Sequence, residues 1–102
     1  MKKLTVYIPE AQAEGVKQAL FEAGAGCYAK YDRVCWQVLG MGQFRPLKGS
    51  NPFIGEVGQD CHVAEVRVEM ICEDALVGAV TAALRATHPY EEPAFDFVEI
   101  LI

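Results

Sequence analysis

Two stretches of the chain alternate apolar and polar residues, and each runs into an acidic residue and then a helix-spaced apolar stripe. In "KKLTVYI", Leu4, Val6 and Ile8 take one side and Lys3, Thr5 and Tyr7 the other. In "VAEVRVEMIC", Ala64, Val66, Val68 and Met70 oppose Glu65, Arg67 and Glu69. A period of two marks a strand with one face on a core. After the first, Pro9 closes the ladder and Glu10 sets a carboxylate at the positive end of a helix. Val16, Leu20 and Ala23 then recur at helical spacing within 11–23. After the second, Glu73 and Asp74 open a helix whose stripe is Leu76, Ala79, Val80, Ala83, Leu84 and Thr87, wide enough to lie on a sheet.

The stops between these units are equally legible. "GAG" at 24–26 offers glycine for a left-handed helix cap, and Pro89 ends the second helix. "CYAKYDRVCWQVL" (27–39), rich in aromatic and β-branched residues, reads as the second strand. "AFDFVEILI" (94–102) reads as the fourth, its alternation breaking near Val98 and Glu99 in the manner of a bulge. The order predicts an α+β, ferredoxin-like βαββαβ domain, a four-stranded antiparallel sheet with both helices on one face. A length of 102 residues fits a single domain, 1–102, and a 52% apolar composition can fill its core.

Charge and cysteine usage narrow the function. Nine basic residues against fourteen acidic ones give a net charge of −5, and only Lys2 and Lys3 are adjacent, so nucleic acid is not the expected partner. No window approaches a membrane span of about 18 apolar residues. "MKKLTVYIPE" lacks the apolar core of a signal peptide, so a soluble, cytoplasmic protein is expected. Cys27, Cys35, Cys61 and Cys72 form no C-x-x-C pair and are expected mostly as small buried hydrophobes.

One segment does not suit a lone domain. "GMGQFRPLKGSNPFIGEVGQDC" (40–61) is too long for an ordinary connection, yet too rich in Phe44, Leu47, Phe53, Ile54 and Val57 to be disordered. With both helices on one face, the other face of the sheet is bare. The arm and that face are therefore expected to pack against other copies, with Phe44, Pro46, Leu47, Phe53 and Ile54 at the interface. The competing reading is an arm that folds back over its own sheet in a monomer. Trp36, the one tryptophan, is expected at the core or the interface.

Polar candidates cluster in "HPYEEP" (88–93). His88 falls at the negative end of the second helix, Tyr90 can cap the core edge, and two prolines stiffen the run. The run is then either a rigid connector or a preorganised site in which His88, Tyr90 and one of Glu91 and Glu92 bind a small molecule or a divalent metal such as Zn, Cu or Ni. Cys61 and His62 are a weaker metal pair, since neighbours in a strand face opposite ways. In the arm, Gly40, Gly42 and Gly49 free backbone N–H groups while Arg45 and Lys48 bring charge, so an anion could sit there, although no phosphate-loop spacing is present. No catalytic set is identifiable, which weighs against an enzyme.

"LFEAGAGCY", "GMGQFRPLKGSNPFIGEVG", "VAEVRVE" and "HPYEEPAFDF" come in an order that resembles the small inserted domain of YqfO-like proteins, the NGG-one-interacting-factor-three family. The resemblance covers nearly the whole chain, which here would stand alone. It implies a CutA/PII-like fold whose protomers join through their sheets, a homotrimer, and ligand sites at subunit clefts near the arm; on the preferred reading His88, Glu91 or Glu92, and Arg45 line such a cleft. Longer relatives surround this insert with a two-metal site of several histidines and acidic residues. This chain has only His62 and His88, so the cyclohydrolase-type naming does not transfer by resemblance, and metal-dependent hydrolysis is the alternative reading. A purely structural partner domain is the third.

Overall fold

A computed structural model describes all 102 residues. Four strands, β1 (Lys2–Pro9), β2 (Trp36–Phe44), β3 (Cys61–Cys72) and β4 (Phe95–Glu99), form one sheet in the order β2-β3-β1-β4, every neighbour antiparallel. Helix α1 (Ala13–Glu22) follows β1 through the 3-10 turn Glu10–Gln12, and α2 (Val77–Thr87) follows β3 through Asp74–Leu76. This is the predicted ferredoxin-like arrangement. Leu4, Val6 and Ile8 of β1 pair with Met70, Val68 and Val66 of β3, and onto that face fall Val16 and Leu20 of α1 and Val80 and Leu84 of α2. Burying these apolar side chains supplies the main stabilising term.

The α1 stop works as its glycines imply. Ala25 N–H donates to Leu20 C=O and Gly24 N–H to Phe21 C=O, the Schellman pattern, with Gly24 at φ 106°. Gly26 then turns the chain back along β3, its N–H donating to Ile71 C=O, at φ 81° where a Cβ would lie 2.9 Å from Val34 O.

Three expectations change. Residues 27–35 are not strand: Ala29 and Arg33 take positive φ and Tyr28 bridges to Tyr31, so β2 begins only at Trp36 and absorbs Gly40–Phe44 of the expected arm. No bulge interrupts β4, which keeps register with β1 from Phe95↔Val6 to Glu99↔Lys2; the alternation breaks at Val98 and Glu99 because apolar Val98 falls on the bare face and Glu99 sits opposite Lys2 at the strand's end. Of the cysteines only Cys72 is buried; Cys35 and Cys61 are half-buried, Cys27 is exposed, and all four are free thiols.

The register also fixes the bare face. Tyr7, Thr5 and Lys3 share it with Glu65, Arg67 and Glu69 of β3, with Trp36 and Val38 of β2 and with Val98 of β4. Trp36 lies there 57% exposed, outside the core, with the Arg67 guanidinium 5.7 Å from its ring centroid. β1 ends at Pro9 opposite Glu65, so Cys61–Ala64 pair with β2 alone and the β2–β3 hairpin continues past the sheet as a two-stranded ribbon. The molecule is accordingly long, 47 × 24 × 23 Å. No helix is long and apolar enough to cross a membrane.

Candidate functional site

The site lies where the ribbon leaves the sheet, and it is assembled from four separate parts of the chain. β3 brings Glu65 to the last position paired with β1, opposite Pro9, and Tyr7 lies one step back on the same face. β2 ends there at Phe44. Residues 45–60 then double back: Gly58 N–H donates to Pro46 C=O at 2.8 Å, and Leu47–Ser50 closes a turn whose amide and hydroxyl both donate to Leu47 C=O. Asn51 N–H reaches Glu91 Oε2 at 3.1 Å, tying the arm to the HPYEEP turn. Between arm, ribbon and turn opens a cleft of about 450 Å³.

His88 controls the turn without entering the cleft. It caps α2 in an extended conformation, φ −69° and ψ 132°, and is buried. Its Nε2 lies 2.7 Å from Tyr7 C=O, and its Nδ1 accepts from Tyr90 N–H at 3.1 Å. One nitrogen must donate and the other accept, which fixes the neutral imidazole with the proton on Nε2. Burial holds its pKa below the ordinary 6.5, opposed by the Tyr7 hydrogen bond and the nearby Glu65 charge. With both nitrogens engaged by backbone, His88 is also in no position to ligate, and acts instead as a positioning residue.

That positioning sets Tyr90. Its ring meets His88 at 5.0 Å and Phe44 edge-on at 5.8 Å, and its hydroxyl donates to Glu65 Oε2 at 2.8 Å. Burial, then the Glu65 hydrogen bond and charge, push the phenol well above its ordinary range, so it stays a donor. Glu65 reaches Tyr90 by lying across Gly42, where an added Cβ would fall on the carboxylate. The chain bends at 90–92 rather than extending, and Glu91 and Glu92 both line the cleft, from which His88 is set back. Arg45 is the one cation in the lining.

All five residues expected at an interface line this cleft, with Pro46 buried inside the chain and Leu47 and Phe53 well exposed. Cys61 packs under the Gly55 turn, whereas His62 is exposed on the opposite face beside Gln43. The three weak metal candidates thus stay apart, and no group of three or more His, Cys, Asp or Glu side chains is arranged to hold a metal ion. Tyr7 and Glu65 are the site residues that sequence reasoning passed over, and Gly42, read as part of an anion site, instead makes room for the Glu65 carboxylate. Glu65 read as the wet side of an alternating strand, and only the small residues facing it across the ladder hinted at room for its carboxylate.

The fold is a ferredoxin-like α+β arrangement, with CutA/PII-like folds among its structural neighbours. CutA from Archaeoglobus fulgidus superposes with a TM-score of 0.69 over 98% of this chain and 84% of that one, at 16% identity, a likeness of fold alone. A Bacillus cereus protein related to NIF3 superposes more closely, with a TM-score of 0.81 and 38% identity over 94% of this chain and 24% of that one. No family model matches. Among curated proteins, the chain is 45% identical over 101 residues to the GTP cyclohydrolase 1 type 2 homolog of Mycobacterium tuberculosis (strain ATCC 25618 / H37Rv) and 43% identical over 100 residues to that of Bacillus subtilis (strain 168). It resembles one segment of these NIF3-like proteins and spans 27% of their length.

Proposed function

We propose that the chain is a non-catalytic, self-associating binding module, a CutA/PII-like homotrimer joined across the bare sheet face, with the cleft beneath its arm as a small-molecule site. The observation that carries this reading is the unburied apolar surface. Only 17 of 102 residues are buried, while Tyr7, Trp36, Val38 and Val98 stand wet on one face and the β2 edge lacks a partner strand. Unpaired edges and contiguous apolar faces are where copies associate. Among them Lys3 and Arg67 both pair with Glu69, at 2.9 and 3.3 Å, so the ion pairs offset part of the charge on this face. The cleft shares Tyr7 with that face, so an assembled neighbour would lie at its rim. Four free thiols suit a reducing cytoplasm.

The cyclohydrolase naming of the relatives belongs to proteins of which this segment is about a quarter, and the ligand-forming groups here supply no metal cluster. Trp36 reports the assembly directly. Diluting the protein from high to low micromolar should move its emission to the red as copies separate and the indole becomes wet; a spectrum unchanged across that range, and red throughout, would sink self-association. A thermal-shift screen of metabolites and divalent metals tests the cleft, where a ligand at 100 times its dissociation constant stabilises by about 2.7 kcal/mol.

A further inference from the structure

The cleft has a chemistry more specific than "small molecule", and this inference rests on its being the module's ligand site. We infer that it takes an organic cation, a small molecule carrying an ammonium group on an apolar or aromatic body. Tyr7 from β1, Phe44 from β2, Phe53 from the arm and Tyr90 from the turn give it aromatic walls on several sides. Aromatic faces carry negative charge density and attract ammonium groups within about 6 Å. Glu65, Glu91 and Glu92 stand round the same space against one Arg45, so the lining is net acidic. Clefts of roughly 300–1,000 Å³ are the size that encloses a metabolite.

The arrangement selects among cations as well. A divalent metal needs several oxygen ligands converging on one point. Here Glu65 is spent on Tyr90, Glu91 on the Asn51 amide, and no group of three such side chains converges. Carboxylates spread round an aromatic cleft suit instead a charge carried on a bulky group. An anion such as a nucleotide would find one guanidinium and three like charges, the reverse of what phosphate binding requires.

Calorimetric titration of the purified protein with phenethylamine, benzyltrimethylammonium, the uncharged analogue 2-phenylethanol and inorganic phosphate tests this. Both ammonium probes should bind at least about tenfold more tightly than 2-phenylethanol. The double variant Glu91→Gln, Glu92→Gln keeps the Asn51 contact possible and should remove that preference, while Phe53→Ala should weaken every aromatic probe. Equal affinity for charged and uncharged probes, tighter binding of phosphate, or no binding of either ammonium probe overturns the inference. A neutral or anionic metabolite that shifts melting in wild type but not in Phe53→Ala would leave the cleft as the ligand site and refute only its preference for cations. Silence from every compound would refute both.

Discussion

His88 shows how a conspicuous residue can matter for a reason its spacing hides. The HPYEEP run is visible as a stiff, polar connector, but the imidazole's partners are the Tyr7 carbonyl and the Tyr90 amide, backbone groups that no side-chain pattern announces. His88→Ala leaves both without their partner and should cost about 1–3 kcal/mol in chemical denaturation. Because the folded state favours the neutral ring, the folded pKa lies below the unfolded 6.5. Its stabilising contribution is complete above that value and is lost as pH falls through the depressed one, since the unfolded chain then binds more protons. Wild type should therefore lose stability on acidification just below pH 6.5, a slope absent from His88→Ala; identical profiles would remove His88 from the turn's support. The place of Gly42 beneath Glu65 is the second feature the spacing hides. Gly42→Ala presses only on the flexible end of Glu65, so the fold should tolerate it, but the carboxylate must leave Tyr90. Spectrophotometric titration should then show the Tyr90 phenol falling back toward its ordinary range, and no change would place Glu65 outside the cleft's hydrogen bonding.

Among the elements, those with a clean period of two or 3.6 were legible, and the irregular ones were not. β1, β3 and both helices follow their patterns because one face of each meets the core. The run at 27–35 has strand-like composition, but left-handed Ala29 and Arg33 fold it into turns, a conformation chosen by local hydrogen bonds rather than by composition. Gly40 and Gly42 read as loop residues and are instead strand residues of the ribbon. The Schellman stop of α1 was readable from its glycines. Gly24→Ala at φ 106°, with Leu76 Cδ1 2.8 Å from the new Cβ, should cost about 1 kcal/mol or more in a denaturation midpoint. The arm, in contrast, is held to the turn through one side chain. Glu91→Ala should speed hydrogen exchange at the Asn51 amide while leaving the β1–β3 ladder protected; unchanged exchange would mean that the arm is held by packing alone.

For the molecule as a whole, the sequence pointed to too much apolar surface for one copy, and the structure locates it. The arm folds back only over the end of the ribbon, covering Phe44 and Cys61, and leaves Trp36 and Val38 bare. What the sequence could not show is that arm and HPYEEP turn share one cleft, because residues about forty positions apart meet there only through the β2–β3 register and the bend at 90–92. Placing charge on the bare face should separate the copies without touching the core, so Trp36→Glu together with Val38→Glu should yield a folded monomer. The decisive measurement is the mass in solution by size-exclusion chromatography with light scattering at micromolar concentration. Association across the bare face predicts three times the 11.2 kDa protomer mass for wild type, falling to one in the double variant. A wild-type mass of 11.2 kDa at every concentration would contradict it.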